Sequence, residues 1–351
     1  MKAAVYYGRQ DVRVEDVLEA RDPQRGEITI EVTRAGICGT DVAEYTKGPH
    51  LIPLEAHPQT GRKAPITIGH EFVGRVVRVG EGVHSLRIGD RVASGAGVSC
   101  GTCDWCRRGE TNMCERYYTH GFQEDGGLAE RVTVPAAICA PVPDGASEDN
   151  AALAQPLAVA VHAVRRTGHA QGEPLVLLGV GGIGSLYLAV AKSLGIPVIA
   201  VDVDPGALAR ARTLGADSVV ALGEADLRGI VMQATGGKGA ATVVECTGRE
   251  TVIEAAVGLL RRTGTLMVVG LQTGAISFDF HGLVQREITV RTSNAHVCST
   301  DLPEALGLLG VRDLAPLLVD RVIPLERLVP DGLLAAAAGE VHGKVLVRID
   351  A

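Results

Sequence analysis

The sequence predicts an α/β protein with two domains, a β-rich domain followed by a doubly wound parallel sheet. Up to about residue 150, short β-branched runs alternate with Gly and Pro turns, which is typical of antiparallel sheets. From about residue 151, continuous apolar runs alternate with helical stretches, which is typical of a parallel sheet covered on both faces. A chain of 351 residues also exceeds the usual size of one core.

The expected elements follow the same division along the chain. In the first part, β-branched composition predicts strands at 1–7, 28–32, 72–79 and 128–134. An Ala-rich helix is expected at 151–167. Apolar runs then predict strands at 174–178, 197–202, 217–221, 241–245 and 264–270. The helices between these strands are expected at 183–194, 205–214, 224–234 and 250–262. After about residue 292 the character is mixed, and the last strand is expected at 344–349.

We therefore expect a first domain over 1–152 and a second over 153–292, with 293–351 returning to the first. The net charge of −7 and the lack of a basic run argue against a nucleic-acid partner. The N-terminus lacks the features of a signal peptide, and no apolar stretch is long enough to span a bilayer. With eight cysteines and no secretion signal, a cytoplasmic protein with reduced thiols is expected.

Four cysteines lie close together in the sequence, at Cys100, Cys103, Cys106 and Cys114. This spacing allows four thiolates to surround one tetrahedral Zn²⁺, with no position left for water or substrate. We therefore predict a structural zinc in a lobe of about residues 95–115. The alternative is that the four residues are buried thiols or form two disulfides.

A glycine-rich turn, Gly179-Val-Gly181-Gly-Ile-Gly184, follows one expected strand and opens a helix, and Asp202 ends the next strand. Gly179 permits the tight turn, Gly181 lets the backbone approach a pyrophosphate, and Gly184 allows close helix packing. Asp202 would bind the ribose hydroxyls, and no arginine stands at that strand end, which favours NAD over NADP. The alternative is a turn that binds no ligand. The predicted cofactor-binding residues are Gly179, Gly181, Gly182, Ile183, Gly184, Asp202, Thr247 and Gly270.

A second possible metal site lies in the first domain. Cys38 stands in Gly36-Ile-Cys38-Gly-Thr40-Asp41, and His70 stands in Gly69-His70-Glu71. One thiolate and one imidazole leave a zinc ion with open positions, as a catalytic site requires. Taken alone, His70 is better explained as a core histidine and Cys38 as an inert buried thiol. Their occurrence in one chain with a four-cysteine lobe and a dinucleotide turn favours metal binding.

With these motifs in this order, the sequence resembles the zinc-containing medium-chain dehydrogenases of the alcohol, sorbitol, threonine and butanediol dehydrogenase type. The resemblance covers essentially the whole chain, and the segment 50–65 is similar to that of bacterial 2,3-butanediol dehydrogenases. It implies a GroES-like catalytic domain, a Rossmann domain, NAD, and two zinc ions per subunit, one catalytic and one structural.

The resemblance also implies roles for individual residues. Cys38 and His70 become ligands of the catalytic zinc, with Glu71 and Gln155 as further ligands. Thr40 becomes the hydroxyl that passes the substrate proton towards the cofactor ribose. The predicted catalytic residues are therefore Cys38, Thr40, His70 and Glu71.

Two positions depart from the family pattern. Gln155 stands where the sorbitol-type branch usually has a glutamate, so a zinc bound by one thiolate, one imidazole and this amide would keep a net positive charge. Glu71 would restore neutrality by moving onto the metal; alternatively, Gln155 packs or caps the following helix. Ala43 stands where a histidine commonly ends the proton relay. Either the cofactor ribose releases the proton to water, or another group such as Glu44 takes this part.

Three functions are consistent with these residues. The favoured one is a zinc-dependent oxidoreductase that transfers hydride between a secondary alcohol, vicinal diol or polyol and NAD. The second is an NADH-dependent biosynthetic reductase of ketones or alkenes. The third is a non-catalytic NAD- and zinc-binding protein, motivated by Gln155 and Ala43. The third is disfavoured because the chain retains all four predicted catalytic residues, Cys38, Thr40, His70 and Glu71. The expected partner is a small-molecule substrate, without nucleic acid or membrane, and the resemblance implies a homodimer or homotetramer.

Overall fold

The structure is a computed structural model that describes residues 1–169, 172–223, 226–272 and 274–349. The chain divides into two compact units. The first consists of Met1–Ala158 and Ala295–Ala351, and the second of Val159–Asn294.

The residues up to 169 form mostly short strands with a few helices. The strands are β1 (Lys2–Gly8), β2 (Asp11–Asp16), β3 (Glu27–Gly36), β4 (Ile66–Thr67), β5 (Glu71–Val79), β6 (Arg91–Ser94), β7 (Gly97–Val98), β8 (Tyr118–Thr119), β9 (Arg131–Pro135) and β10 (Cys139–Pro141). The helices are α1 (Gly39–Lys47), α2 (Asp104–Arg107), α3 (Glu148–Ala151) and α4 (Ala154–Thr167).

Strands and helices alternate in the second unit, and a shorter mixed segment ends the chain. The strands of the second unit are β11 (Leu175–Leu178), β12 (Val198–Asp202), β13 (Ser218–Ala221), β14 (Ala240–Glu245), β15 (Leu260–Val268) and β16 (Thr289–Thr292). Its helices are α5 (Gly182–Ser193), α6 (Pro205–Leu214), α7 (Leu227–Ala234), α8 (Glu250–Leu259) and α9 (Phe280–Gln285). The final elements are α10 (Asp301–Val311), α11 (Ala315–Leu318), α12 (Ala335–Ala337), β17 (Val319–Pro324) and β18 (Lys344–Arg348).

The first unit is built around a seven-stranded sheet in the order β10-β6-β5-β3-β18-β17, with β9 also paired to β3. Its apolar residues, among them Ile28, Ile30 and Phe72, are almost completely buried and form one hydrophobic core. The last strand, β18, pairs antiparallel with β3, with Leu346 opposite Gly36. The C-terminal residues therefore complete the sheet that begins near the N-terminus.

The second unit contains a six-stranded sheet in the order β13-β12-β11-β14-β15-β16, and all its strand pairs are parallel. This is the strand order of a dinucleotide-binding fold. Every residue of β11 is buried, which explains the continuous apolar run, because helices cover both faces of such a sheet. The predicted fold class, a β-rich domain with a doubly wound parallel-sheet domain, is confirmed.

Local signals explain where α6 begins and ends. The Asp204 side chain accepts hydrogen bonds from the N–H groups of Gly206 and Ala207, and Pro205 is the first helical residue. Gly215 ends the helix with φ +101°, in the left-handed region that glycine adopts most readily. The predicted helix 205–214 is confirmed. Its N-cap, Asp204, lies two residues after Asp202.

Several predicted elements differ from the structure at their ends. The helix predicted at 151–167 begins at Ala154, as α4, and residue 151 belongs to the preceding short helix α3. The strand expected at 128–134 begins only at Arg131. Of the helix expected at 224–234, residues 224 and 225 lie outside the described residues, and α7 begins at Leu227. The helix expected at 250–262 ends at Leu259, because Leu260 already pairs with Ala240 in the parallel sheet. Within the described residues, no helix is long and apolar enough to cross a membrane.

Candidate functional site

The four clustered cysteines come together in one lobe of the first unit. The Sγ atoms of Cys100, Cys103, Cys106 and Cys114 all lie within 4.8 Å of one another. Cys103 Sγ lies 3.5 Å from Cys106 Sγ, and Cys100 Sγ lies 4.0 Å from Cys106 Sγ, whereas a disulfide requires about 2 Å. All four are free thiols and only Cys114 is buried, so neither two disulfides nor four buried thiols describe them.

The backbone of the lobe is arranged to stabilise negatively charged sulfur. Cys100 Sγ accepts hydrogen bonds from the Thr102 hydroxyl and from the N–H groups of Thr102 and Cys103. The side chain and N–H of Thr102 are the main reasons that the pKa of the Cys100 thiol is lowered to about 5. Cys114 Sγ accepts from the N–H groups of Cys100 and Arg116. Four converging sulfurs, two of which accept backbone N–H groups, fit a tetrahedral zinc.

A second set of possible ligands lies elsewhere in the same unit. The ligand atoms of Cys38, His70 and Glu71 lie within 4.8 Å of one another. Cys38 precedes α1, and Glu71 is the first residue of β5. Gly36 makes room for the carboxylate, because a Cβ there would lie 2.2 Å from Glu71 Oε2. His70 and Glu71 are only 6% and 1% exposed, so their polar atoms need internal partners.

Asp41 connects Cys38 with His70. One oxygen of its carboxylate accepts the Cys38 N–H at 2.9 Å, and the other lies 3.4 Å from His70 Nδ1. Burial lowers the pKa of His70, but the charges of Asp41 and Cys38 raise it, and the net result is well above its usual value. Groups that favour a proton on an imidazole also favour a metal cation beside it. A zinc ion therefore fits the charge and donor types of this cluster.

Lys344 is the other charged group at this cluster. Its ammonium donates to both Glu71 oxygens, at 2.8 and 2.7 Å, and to the carbonyl oxygen of Ile37 at 3.2 Å. Burial lowers the pKa of Lys344, but the negative charges of Glu71, Cys38 and Asp41 together raise it by more, so the net shift is upward and the amine stays charged. The negative charge of Glu71 is thus balanced within the protein.

The remaining predicted catalytic and ligand residues are placed as follows. Thr40 is half-buried, and its hydroxyl oxygen lies 3.7 Å from Cys38 Sγ. Gln155 is the second residue of α4 and is half-buried, and its part as a zinc ligand stays a prediction. Glu44 does not fit a solvent-facing proton acceptor, because it is 1% exposed and its carboxylate accepts from the N–H groups of His50 and Leu51.

In the second unit, the glycine-rich turn is crowded at its two ends and open in the middle. A Cβ at Gly179 would lie 2.5 Å from Thr247 Cγ2, and one at Gly184 would lie 1.9 Å from the Gly179 carbonyl oxygen. Gly181 and Gly182 are exposed, and a Cβ at either would meet no atom within 4 Å. In the part of the chain that the structure describes, no side chain caps the N-terminus of α5, which leaves its first N–H groups available for a phosphate.

The acidic residue at the end of β12 lies directly beside this turn. Asp202 accepts the Val180 N–H at 2.7 Å through one oxygen and the N–H groups of Val203 and Asp204 through the other. The Asp204 side chain accepts N–H groups of the first turn of α6 and so stabilises that helix. The described residues of the turn fit a dinucleotide: an open pair of glycines, a free helix N-terminus and a carboxylate adjacent to the turn.

Sequence reasoning did not name Asp41, Lys344 or Glu245 as site residues. Asp41 carried a signal, since it ends the Cys-Gly-Thr-Asp motif. Lys344 carried none, because it lies at the start of a distant strand and only the β18–β3 pairing brings it near Glu71. Glu245 ends β14 and holds Thr247 and Gly248 through its carboxylate.

Comparisons with known proteins show which family the chain is similar to. Residues 24–144 match the alcohol dehydrogenase GroES-like domain, and residues 182–310 match the zinc-binding dehydrogenase family. The chain is 35% identical to a sorbitol dehydrogenase of Halalkalibacterium halodurans, with 82% of each protein covered. It is 33% identical to an (R,R)-butanediol dehydrogenase of Neisseria gonorrhoeae, with 95% of this chain and 94% of that protein covered. The crystal structure of 2R,3R-butanediol dehydrogenase from Bacillus subtilis superposes with a TM-score of 0.91 at 31% identity, covering 99% of each chain.

Proposed function

This chain belongs to the zinc-binding alcohol dehydrogenase family, and we propose that it transfers hydride between a secondary alcohol, vicinal diol or polyol and NAD. The observation that carries the proposal is the convergence of Cys38, His70 and Glu71, whose ligand atoms lie within 4.8 Å of one another. A thiolate, an imidazole and a carboxylate are ligands that zinc prefers, and fewer than four firm ligands leave room for a substrate oxygen.

We assign the catalytic zinc to Cys38 and His70, with Glu71 and Gln155 as further ligands that take the third position in turn, so that the fourth stays open for a substrate oxygen. When bound, zinc supplies a positive charge that favours loss of the proton from the substrate hydroxyl. The protein must then fix the orientation of the zinc ligands and accept the proton of the substrate hydroxyl. Asp41 orients His70 and the Cys38 backbone, since its two oxygens contact both.

Thr40 is the proposed proton carrier. Its hydroxyl is 3.7 Å from Cys38 Sγ, so it stands beside one proposed ligand atom and is in reach of an alcohol held there. A hydroxyl can accept the substrate proton and pass on its own, which fits a relay towards the cofactor ribose. Ala43 has no ionisable group and Glu44 is buried, so neither would take the proton onward, and it would have to leave to water when the cofactor is bound.

The proposed NAD site is the turn at residues 179–184 with Asp202, Thr247 and Gly270. Gly181 and Gly182 leave space for a pyrophosphate at the free N-terminus of α5. Asp202 is held beside the turn by the Val180 N–H, and its carboxylate would repel a 2′-phosphate. We therefore propose NAD rather than NADP.

The second proposed zinc is structural and is held by Cys100, Cys103, Cys106 and Cys114. Four thiolates close the coordination shell, so this ion stabilises its lobe and performs no chemistry. A reducing, cytoplasmic location suits a protein that needs five cysteines as metal ligands. We also propose the domain boundaries 1–152, 153–292 and 293–351; the pairing of β18 with β3 supports placing the last segment with the first domain.

We propose that a second copy of the chain adds to the edge of the parallel sheet. Within the described part of the sheet, β16 is the last strand, and all four of its residues are exposed. Phe280 and Val284 on α9 are 71% and 73% exposed, and Val290 on β16 is 43% exposed. An exposed strand edge with apolar side chains beside it pairs readily with another chain. Light scattering of the native protein and of Val290→Lys tests this, and an unchanged dimer or tetramer in the variant contradicts it.

The proposed activity is tested by mixing metal-analysed protein with NAD⁺ and a panel of diols, polyols and secondary alcohols while NADH absorbance is followed. Parallel runs use NADP⁺ and chelated protein. We expect turnover with one substrate class, preference for NAD⁺, and loss of activity when the more labile zinc is removed.

Cys38→Ser is the decisive variant, and Cys139→Ser is its matched control because Cys139 is a cysteine in neither metal cluster. Loss of activity in the first and retention in the second support the proposed zinc site. Native activity in Cys38→Ser contradicts it. Bound NAD without turnover in either direction, across the panel, would favour a non-catalytic protein instead.

A further inference from the structure

Glu245 is a buried carboxylate at the end of β14, in the second unit, and it is 0% exposed. Its Oε1 accepts three hydrogen bonds: from the Thr247 N–H and hydroxyl, each at 2.5 Å, and from the Gly248 N–H at 2.9 Å. Among the described residues, Oε2 has no hydrogen-bond partner. The Glu245 side chain therefore fixes the conformation of Thr247 and Gly248, which follow Cys246 after the end of β14.

The backbone of Glu245 holds a second loop. Its carbonyl oxygen accepts the N–H groups of Val269 and Gly270, at 2.8 and 3.1 Å, at the end of β15. Gly270 packs so closely that a Cβ there would lie 2.2 Å from the Gly248 nitrogen and 2.8 Å from Glu245 Oε2. The ends of β14 and β15 are thus joined through one residue.

The loop held by the carboxylate in turn forms one wall of the glycine-rich turn. A Cβ on Gly179 would lie 2.5 Å from Thr247 Cγ2, and a Cβ on Gly184 would lie 3.4 Å from Cys246 Cβ. The Cys246 N–H also donates to the carbonyl oxygen of Leu178, the residue before the turn. Because these contacts leave no free space, movement of residues 246–248 would move the turn or open a gap beside it.

From these contacts we propose that Glu245 is a positioning residue for the dinucleotide. Its side chain sets residues 247–248, its backbone sets Gly270, and both loops together fix the shape of the turn at 179–184. The inference rests on the proposed NAD site in the same unit. A preorganised site binds more tightly because less ordering remains to be done on binding, so the effect belongs to cofactor affinity.

The test is calorimetric titration of NAD⁺, without substrate, into the wild-type protein and three variants. Glu245→Ala removes all three hydrogen bonds, and we expect the dissociation constant to rise at least tenfold. Glu245→Gln keeps an acceptor oxygen of the same shape but loses the charge, so most of the affinity should return, with a rise of less than about threefold. Glu173→Ala is the matched control. Glu173 lies just before β11 and forms an ion pair with Arg261, and it makes none of the contacts described for Glu245.

Thermal unfolding of each variant is recorded with the titration. If Glu245→Ala does not fold, Thr247→Val replaces it. That variant removes the hydroxyl that donates to Oε1 and accepts the Arg249 N–H, but it keeps both N–H donors to Oε1, and we then expect a rise of about threefold. Unchanged NAD⁺ affinity in folded Glu245→Ala, or in Thr247→Val, overturns the inference, as does an equal rise in the Glu173→Ala control. Wild-type protein that binds no NAD⁺ overturns the proposed function itself, so the two failures are distinguishable.

Discussion

Lys344 Nζ lies 2.8 and 2.7 Å from the two carboxylate oxygens of Glu71, although 273 positions separate the two residues in the sequence. Glu71 is 1% exposed, so its charge has little access to water. The lysine therefore allows a carboxylate to lie beside Cys38 and His70 without unbalanced charge. Glu71, a proposed zinc ligand, and Lys344, its counter-ion, thus come from distant parts of the sequence.

Removing this counter-ion should destabilise the protein. In Lys344→Met the carboxylate of Glu71 stays buried and unpaired, which typically costs about 3 to 5 kcal/mol. Urea unfolding measures the change. Lys238→Met is the control, because Lys238 is exposed in a loop of the second unit. Equal stability of the two variants would show that the ion pair is dispensable.

The glycine-rich turn should tolerate an added methyl group at one position and not at another. Gly184→Ala places a Cβ 1.9 Å from the Gly179 carbonyl oxygen, so backbone must move, at a cost of about 3 kcal/mol or more. Gly182→Ala meets no atom within 4 Å and should cost less than about 1 kcal/mol. Denaturant unfolding of both variants is the measurement, and similar stabilities would contradict the crowding at Gly184.

The two metal clusters should lose zinc independently. We expect two zinc ions per chain in the native protein, and one in either Cys38→Ser or Cys106→Ser, because each variant removes a ligand from one cluster only. Elemental analysis after dialysis gives the count. Cys139→Ser should keep both ions; its thiol pKa is raised by burial, so it is a poor ligand. Loss of both ions from either single variant contradicts independent sites.

His120 should make stability depend on pH. Burial lowers the pKa of His120 to about 4, whereas an unfolded histidine titrates near 6.5. The unfolded chain therefore takes up the proton first, and stability that is present above pH 6.5 is lost as the pH falls towards 4. The full loss is about 3 kcal/mol.

Unfolding free energies measured between pH 7.5 and 4.5 test this dependence. In His120→Gln, the part of the slope of unfolding free energy against pH that His120 contributes should disappear, because glutamine does not titrate. The exposed His84 supplies the control variant, His84→Gln, which should keep the native slope. If the unfolding free energy of His120→Gln changes with pH as steeply as that of the native protein, the pH dependence comes from other groups.

Local sequence signals were sufficient for much of the fold. Hydrophobic runs bounded by Gly and Pro predicted every strand of the parallel sheet except β16, and Asp204, Pro205 and Gly215 explain why the predicted helix 205–214 is correct. The helix expected at 250–262 was wrong beyond Leu259. Pairing of Leu260 with Ala240 is a contact between distant residues, and it overrides local helical preference.

By itself, the sequence determined the kinds of site this protein contains, because ligand spacing and glycine spacing are local. Cys100 to Cys114 and the turn at 179–184 each lie within one short segment, whose residues can only be neighbours. The tertiary structure alone decided how charge is balanced at Cys38, His70 and Glu71. Lys344 reaches that cluster through the pairing of β18 with β3, and such a long-range contact leaves no trace in local composition.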